Sequence, residues 1–339
     1  MAKYYTTLDC TKGYWQIPLS PAAREKTVFS TPLGLYQFKV LPFGLFGAPA
    51  TFQRLMDRVL RPHAAYAAAY IDDIVIYGDE WGQHVQQVAA VLQSLRRAGL
   101  TANPKKCVIG RREIQYLGFH LGRGKVRPQV GKAAAVATSP RPRTKKELRR
   151  FLGLAGYYRQ FVPNFSDLAS PLTDLTRKRA PDTVQWSEPC QVSFEAIKTA
   201  LCGEAVLCAP NFALPFSVQA DASDRGLGAV LTQQVEGTDR PVLYLSRKLS
   251  DREGQYSTVE KECLAIRWAV GALRYYLLGR AFTLYSDHAP LQWLHRMKDA
   301  NARITRWYLA LQPFNFRVAH RPGAQMVVAD FLSRPGGGE

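Results

Sequence analysis

The stretch AAYIDDIVIY, residues 68–77, constrains the fold more than any other part of the chain. Ile71, Ile74, Val75 and Ile76 are β-branched and Tyr70 and Tyr77 are aromatic, the composition of a strand with little exposed face. Two adjacent aspartates interrupt it. An ionised carboxylate buried without a partner costs several kcal/mol, and a second one beside it adds repulsion. Asp72 and Asp73 therefore need an exposed turn, a compensating cation, or both. A strand on each side suggests a hairpin with the acids at its tip. The segment TTLD (6–9) is a short strand that ends in Asp9. If it lies beside that hairpin, three carboxylates meet at one sheet edge. Hard divalent cations favour such oxygen ligands. Read alone, an Asp-Asp pair is turn chemistry more often than metal chemistry.

A second acidic set lies downstream. FSVQADASDRGLGAVL sets Asp221 at the end of an alternating strand in which Phe216, Val218 and Ala220 share a face. FTLYSDHAPL sets Asp287 at the end of another strand, and VVADFLSR supplies Asp330 near the start of a last helix. STVEKECLAIRWAVGAL offers two glutamates. At 100° per residue Glu262 falls on the inward stripe with Val259, Ile266, Val270 and Leu273, whereas Glu260 completes a capping box with Ser257. A carboxylate on a core-facing stripe calls for a function. For Asp221 taken alone, an Asx turn in DASD explains the residue equally well.

With 339 residues, two or three domains are expected. Lys and Arg number 45 against 27 Asp and Glu, so the formal net charge is +18 and a polyanionic partner, nucleic acid, is favoured. The six cysteines show no zinc-ligand spacing and read as reduced thiols of an intracellular protein. No apolar run approaches a membrane span, so no membrane partner is expected. Residues 1–127 alternate strands, turns and helices. Within them, Val88, Val91, Leu92 and Leu95 form one helical stripe that stops at Gly99, and EIQYLGFHL (113–121) is a strand interrupted at Gly118. Residues 128–208 are helical, with a capping box at Thr144 and Glu147 and an outer basic face of Arg143, Lys145, Lys146, Arg149 and Arg150. Residues 209–335 hold five strands, near 214–220, 226–234, 241–247, 282–287 and 314–319, with a long helix near 258–278, and 336–339 is a tail.

Several segments in one order sharpen the reading. TTLDCTKGYWQIPL, TVFSTPLGLYQFKVLPFGLFGAPATFQRLMDRVL, YIDDIVIYG, AGLTANPKKC and YLGF together resemble the palm of a reverse transcriptase of the gypsy-type LTR retrotransposon class. TKKELRRFLGLAGYYRQFVPNFSDLASPL resembles the thumb side of that family, and the second acidic set resembles its ribonuclease H domain. The resemblance implies an α/β chain: an α+β palm, a mainly helical thumb, then a mixed five-stranded sheet with helices. It implies that Asp9, Asp72 and Asp73 bind metal and that Tyr14 excludes a ribose 2′-OH. Phe43 and Gly44 would back the nucleotide, Lys105 or Lys106 would lie behind the site, and Leu117 and Gly118 would grip the primer end. In the nuclease half, Asp221, Glu262, Asp287 and Asp330 would be the four catalytic carboxylates, with His320 assisting. Two Mg²⁺ per site are implied, with Mn²⁺ as a substitute. The implied partners are RNA–DNA hybrid, template-primer and deoxynucleoside triphosphates, in the cytoplasm or nucleus. In this family a fingers subdomain precedes the palm. Only eight residues precede Asp9, so the expectation is an N-terminally truncated palm whose polymerisation depends on fingers supplied from elsewhere. The competing expectation is a catalytically silent remnant that binds nucleic acid.

Overall fold

The computed structural model describes residues 2–203, 206–286 and 302–320. The chain forms two compact units, Met1–Gly124 and Lys125–Glu339.

The first unit contains β1 (Tyr4–Asp9), α1 (Pro21–Glu25), a small hairpin of β2 (Phe29–Thr31) and β3 (Gly34–Tyr36), and α2 (Ala48–Leu60). It continues with β4 (Ala67–Tyr70), β5 (Asp73–Gly78), α3 (Trp81–Arg97), β6 (Val108–Arg111), β7 (Glu113–Tyr116) and β8 (Phe119–Gly122). Its main sheet has the order β4-β5-β1-β6. The unbroken apolar run Ile74–Ile76 needs cover on both faces and has it. Ile74 and Ile76 join Leu8, Phe52, Met56, Val91 and Leu95 under α2 and α3, while Val75 packs with Tyr5 and Ile114 on the other face. Helix α3 ends as expected, with Gly99 in the left-handed region at φ +71°. Leu92 departs from the predicted stripe and is 41% exposed, because the stripe facing the sheet is narrow and Val88, Val91 and Leu95 fill it. The segment 113–121 is a hairpin rather than one strand with a break. Tyr116 pairs with Phe119, and Leu117 (φ +47°) and Gly118 (φ +77°) reverse the chain.

The second unit opens with β9 (Lys125–Pro128), α4 (Val130–Ala137), α5 (Lys145–Tyr157), α6 (Phe165–Asp174), α7 (Glu188–Cys202) and β10 (Leu207–Cys208), which pairs with β9. There follow β11 (Phe216–Ala222), β12 (Gly226–Val235), β13 (Thr238–Lys248), α8 (Asp251–Gly254), α9 (Thr258–Ala272), α10 (Arg274–Leu277), β14 (Ala281–Ser286), α11 (Ala302–Leu311) and β15 (Asn315–His320). The five strands form one mixed sheet, β13-β12-β11-β14-β15, antiparallel through β11 and parallel beyond it. Phe216, Val218 and Ala220 face a core shared with Ala265, Ile266, Ala269 and Val270 of α9. Both capping boxes, Thr144 with Glu147 and Ser257 with Glu260, are formed.

Three further details differ from the sequence reading. The helix near 258–278 breaks at Leu273 (φ −90°, ψ 10°) into α9 and α10, which keeps both Leu273 and Leu277 buried. Val259, in the first turn of α9, is 40% exposed rather than inward. Lys145 does not lie on the outer basic face. It is 6% exposed, and its ammonium donates to the carbonyls of Arg177 (3.1 Å) and Ala180, so the loop after α6 uses its charge internally. Arg143, Lys146, Arg149 and Arg150 are exposed, and Arg149 donates to the Thr176 carbonyl at 3.0 Å.

Candidate active sites

In the first unit, strand pairing brings the three acids together. Asp9 lies opposite Asp73 in the β1–β5 register, and Tyr70 pairs with Asp73, leaving Ile71 and Asp72 as a two-residue turn. The Asp72 carbonyl accepts from the Cys10 amide at 3.0 Å, and the Asp9 carbonyl accepts from the Asn103 amide at 2.7 Å. Ile71 is held at φ +56°, a conformation that normally selects Gly at the first central position of such a turn. Gln53 of α2 secures it: its Oε1 accepts from the Ile71 amide at 2.7 Å and its Nε2 donates to the Ala69 carbonyl at 3.1 Å. The Tyr116 hydroxyl donates to the Asp73 carbonyl at 3.2 Å. Nothing in the sequence pattern singles out Gln53, which follows the buried Phe52 on an ordinary amphipathic helix.

The electrostatics are those of crowded anions. Burial, then the negative charges of Asp72 and Asp9, raise the Asp73 carboxyl above its ordinary range, with Lys106 acting in the opposite sense. The Lys106 ammonium lies 3.3 Å from Asp9 Oδ2. Burial and the same three acids push the Cys10 thiol up to about 12, so it stays protonated. Among the described residues no three His, Cys, Asp or Glu side chains are gathered tightly enough to hold a metal ion. The acids are thus grouped by backbone register against their mutual repulsion, not as a closed ligand shell. Their hard oxygens, and three carboxylates against the single ammonium of Lys106, fit a divalent cation.

Gly13 packs closely beside them, since a Cβ there would stand 3.3 Å from Asp72 Cβ and 3.0 Å from the Phe52 ring, tight enough that a neighbour would have to shift by a few tenths of an ångström. This places the following Tyr14 near the acids. Its ring lies 5.1 Å from Phe43 and 5.7 Å from Phe52, and burial and then Asp72 raise its phenol pKa. Phe43 is exposed, and Gly44 sits at φ +91° with open space about it. Leu117 and Gly118 form the turn of the β7–β8 hairpin, which begins just after Tyr116.

In the second unit, Asp221 lies next to last in β11, and its Oδ1 accepts from the Ala222 amide at 2.9 Å. Glu262 is 6% exposed on α9, which packs on β11 and β12. Glu260 is occupied elsewhere, capping Ser257 and pairing with Arg303. Its neighbour Lys261 is buried and donates to Asp224 Oδ1 at 2.9 Å, tying the helix that carries Glu262 to the turn after Asp221. Asp287 and Asp330 lie outside the described residues. His320 ends β15 opposite Ser286, the residue before Asp287.

Comparison with known proteins follows this geometry. The family model "Reverse transcriptase (RNA-dependent DNA polymerase)" matches residues 1–121, and "RNase H-like domain found in reverse transcriptase" matches residues 211–314. The chain is 40% identical over 333 residues to the retrovirus-related Pol polyprotein from transposon 297 of Drosophila melanogaster, covering 98% of this chain and 31% of the relative. To the corresponding polyprotein from transposon gypsy of the same species it is 37% identical, covering 98% of this chain and 33% of the relative. To the Tf2-3 polyprotein of Schizosaccharomyces pombe it is 34% identical, covering 97% and 25%. The chain thus spans a third or less of the length of these relatives. Among solved structures, foamy viral protease-reverse transcriptase in complex with RNA/DNA hybrid shares the fold with a TM-score of 0.84 at 23% identity, over 99% of this chain and 46% of that one. The same protein in complex with dsDNA gives 0.78 at 25% identity, over 94% and 67%. The two domain matches in this order, together with relatives aligned along nearly the whole chain, establish that it belongs to the reverse transcriptase–ribonuclease H family of gypsy-type and related LTR-retrotransposon Pol polyproteins.

Proposed function

We propose that the chain is an RNA-directed DNA polymerase joined to a ribonuclease H that hydrolyses the RNA strand of RNA–DNA hybrids. The observation that carries this reading is the coincidence of two domain matches with two acidic sets. Asp9, Asp72 and Asp73 fall within the first match, and Asp221, Glu262 and Asp287 fall within the second. In this reading the polymerase palm occupies residues 1–127, the thumb and connecting helices 128–208, and the nuclease 209–335.

Domains of both families use divalent metal ions. Here we assign two Mg²⁺ to each acidic set, with Mn²⁺ as a substitute; bound, they supply Lewis acidity and neutralise charge at the phosphoryl group. Asp9, Asp72 and Asp73 hold the ions of the polymerase site. Tyr14, braced by Phe43 and Phe52, walls the sugar pocket against a ribose 2′-OH, and Phe43 and Gly44 back the nucleotide. Lys106, 3.3 Å from Asp9 Oδ2, would offer its charge to the triphosphate, and Leu117 and Gly118 would contact the primer end. In the nuclease, Asp221, Glu262, Asp287 and Asp330 would hold the ions, and His320 would assist proton transfer or product release. RNA–DNA hybrid, template-primer and deoxynucleoside triphosphates are the partners, in the cytoplasm or nucleus. Among the described residues no helix is long and apolar enough to cross a membrane. The charge of +18 supplies backbone affinity that weakens steeply with salt.

The test is cleavage of an end-labelled RNA–DNA hybrid with Mg²⁺, beside an Asp287→Asn variant, followed by primer extension. Cutting of the RNA strand that the variant loses supports the assignment. A wild-type chain that binds hybrid in a salt-dependent way yet never cuts it, with Mg²⁺ or Mn²⁺, would replace the nuclease with a catalytically silent nucleic-acid-binding protein.

A further inference from the structure

The turn that follows Asp221 is held from outside the matched nuclease domain. Residues 223–225 connect β11 to β12, and Ser223 is the hub of the bonding there and to Gly226. Its amide donates to the Gly226 carbonyl at 2.9 Å, and its Oγ accepts from the amides of Gly226 (2.9 Å) and Arg225 (3.2 Å). That leaves the Ser223 hydroxyl hydrogen to be directed, and two acceptors lie within its reach, Asp167 Oδ2 at 3.1 Å and, farther off, the Gly226 carbonyl at 3.3 Å, which already accepts from the Ser223 amide. Asp167 lies in the first turn of α6, more than forty residues before the domain match begins at 211.

The fit around Asp167 is close. A Cβ on Gly226 would stand 2.4 Å from Asp167 Oδ1 and 3.1 Å from the Arg247 carbonyl, so only glycine admits the carboxyl there. Asp167 Oδ1 is buried without a hydrogen-bond partner. Burial raises the Asp167 carboxyl, against Ser223, Arg225 and Lys248, which act to lower it. The preceding residue docks too: the Ser166 amide donates to Ser246 Oγ at 2.9 Å. Ser246 lies opposite Gly228, and Gly228 opposite Asp221, so Ser166 and Asp221 stand at the two ends of one row across β13, β12 and β11. Lys248 pairs with Asp174 at the far end of α6. From α9, Lys261 grips Asp224 in the same turn.

We infer that Asp167 of the connecting helix is a positioning residue for the ribonuclease H site, fixing through Ser223 and Gly226 the turn that presents Asp221. The inference rests on the nuclease reading above. A partly buried carboxyl with a stranded oxygen stabilises little by itself. What it does is orient the Ser223 hydroxyl and so order the strand end that carries a metal-binding acid. Outer partners of this kind typically change metal affinity or activity by about 10- to 100-fold when removed.

The experiment compares the full chain with Asp167→Ala, Asp167→Asn and Ser223→Ala. It reads hybrid cleavage, amide exchange at residues 222–227, and Mn²⁺ binding by calorimetry. Asp167→Ala is expected to lower kcat about 10- to 100-fold with KM for hybrid unchanged, to weaken Mn²⁺ binding, and to speed exchange in the turn. Asp167→Asn keeps an oxygen acceptor for Ser223 and is expected to stay within about threefold of wild type. Cleavage by Asp167→Ala at the wild-type rate, an Asn variant as impaired as the Ala variant, or a loss confined to KM would each overturn the inference. Ser223→Ala removes that bond together with the two that Oγ accepts inside the turn and sets the upper limit of the effect. If Asp167→Ala does not fold, Asp167→Leu, which fills the same space without an acceptor and leaves the bonds inside the turn intact, is judged by the same readings. If the wild type never cuts hybrid, the nuclease reading falls alone, and unchanged amide exchange and Mn²⁺ binding in the variants would still overturn the positioning role.

Discussion

Replacing Gln53 by Leu should unseat the turn that carries Asp72. The change keeps the size of the side chain and its place on α2 but deletes three bonds: the Ile71 amide to Oε1 at 2.7 Å, Nε2 to the Ala69 carbonyl at 3.1 Å and, on the exposed side, Nε2 to Asp57 Oδ1 at 2.8 Å. The exposed i,i+4 contact is worth only about 0.2–0.5 kcal/mol. At about 1 kcal/mol net for each of the two bonds to the hairpin, with a further 1–3 kcal/mol for a stranded, partly buried Ile71 amide, the gross loss is about 3–5 kcal/mol. The turn can then relax. A β-branched residue at φ +56° stores about 1–2 kcal/mol of strain, which the freed turn recovers. The net cost is about 1–4 kcal/mol. For a unit of this size, 1 kcal/mol moves the midpoint by about 4 °C, so thermal unfolding of the first unit should shift down by roughly 4–16 °C. Primer extension should fall further than hybrid cleavage, because Asp72 sits in the affected turn and the second unit does not contain it. A companion Ile71→Gly change should cost less than an ordinary isoleucine truncation, since it removes the same strain. A Gln53→Leu midpoint within about 2 °C of wild type would refute the view that Gln53 restrains the turn.

Lys145→Met should destabilise the second unit by about 2–4 kcal/mol in urea, because the carbonyls of Arg177 and Ala180 lose a charged donor inside the fold. Gly226→Ala should cost about 1–3 kcal/mol from overpacking against Asp167, and a double change with Asp167→Ala should recover part of it in the same titration. The stability of the first unit should depend on His84, which is buried and whose pKa burial lowers below its ordinary value of 6.5. The unfolded chain therefore binds the proton first. The stabilisation is complete above pH 6.5 and is lost as pH falls from there through the folded-state value, and His84→Gln should flatten that slope in unfolding midpoints taken from pH 7 downward.

Features set by neighbours in the chain were legible in the residues themselves. The apolar run around Asp72 and Asp73 demanded a sheet covered on both faces with its acids at a turn; the register of β1, β4 and β5 puts Asp72 in that turn but makes Asp73 the first residue of β5, paired with Tyr70 and Asp9. Two capping boxes fixed two helix starts, and one of them separated Glu260 from Glu262, because a capping side chain reaches only its own first turn. Periodicity failed where direction about a helix axis was mistaken for burial. Leu92 and Val259 fall on the apolar stripes of their helices by spacing, yet both are about two-fifths exposed, and only the packing partner decides that. Lys145 shows the reverse case, a charged residue in a basic run that two carbonyls from a distant loop draw inside. Gln53 and Asp167 carry no local signature at all. The sequence by itself determined which residues bring acid chemistry and where strands and helices begin. Tertiary structure alone decided which ordinary polar side chains hold those acids in place, because a hydrogen bond between residues 53 and 71, or 167 and 223, depends on a fold that no short-range pattern encodes.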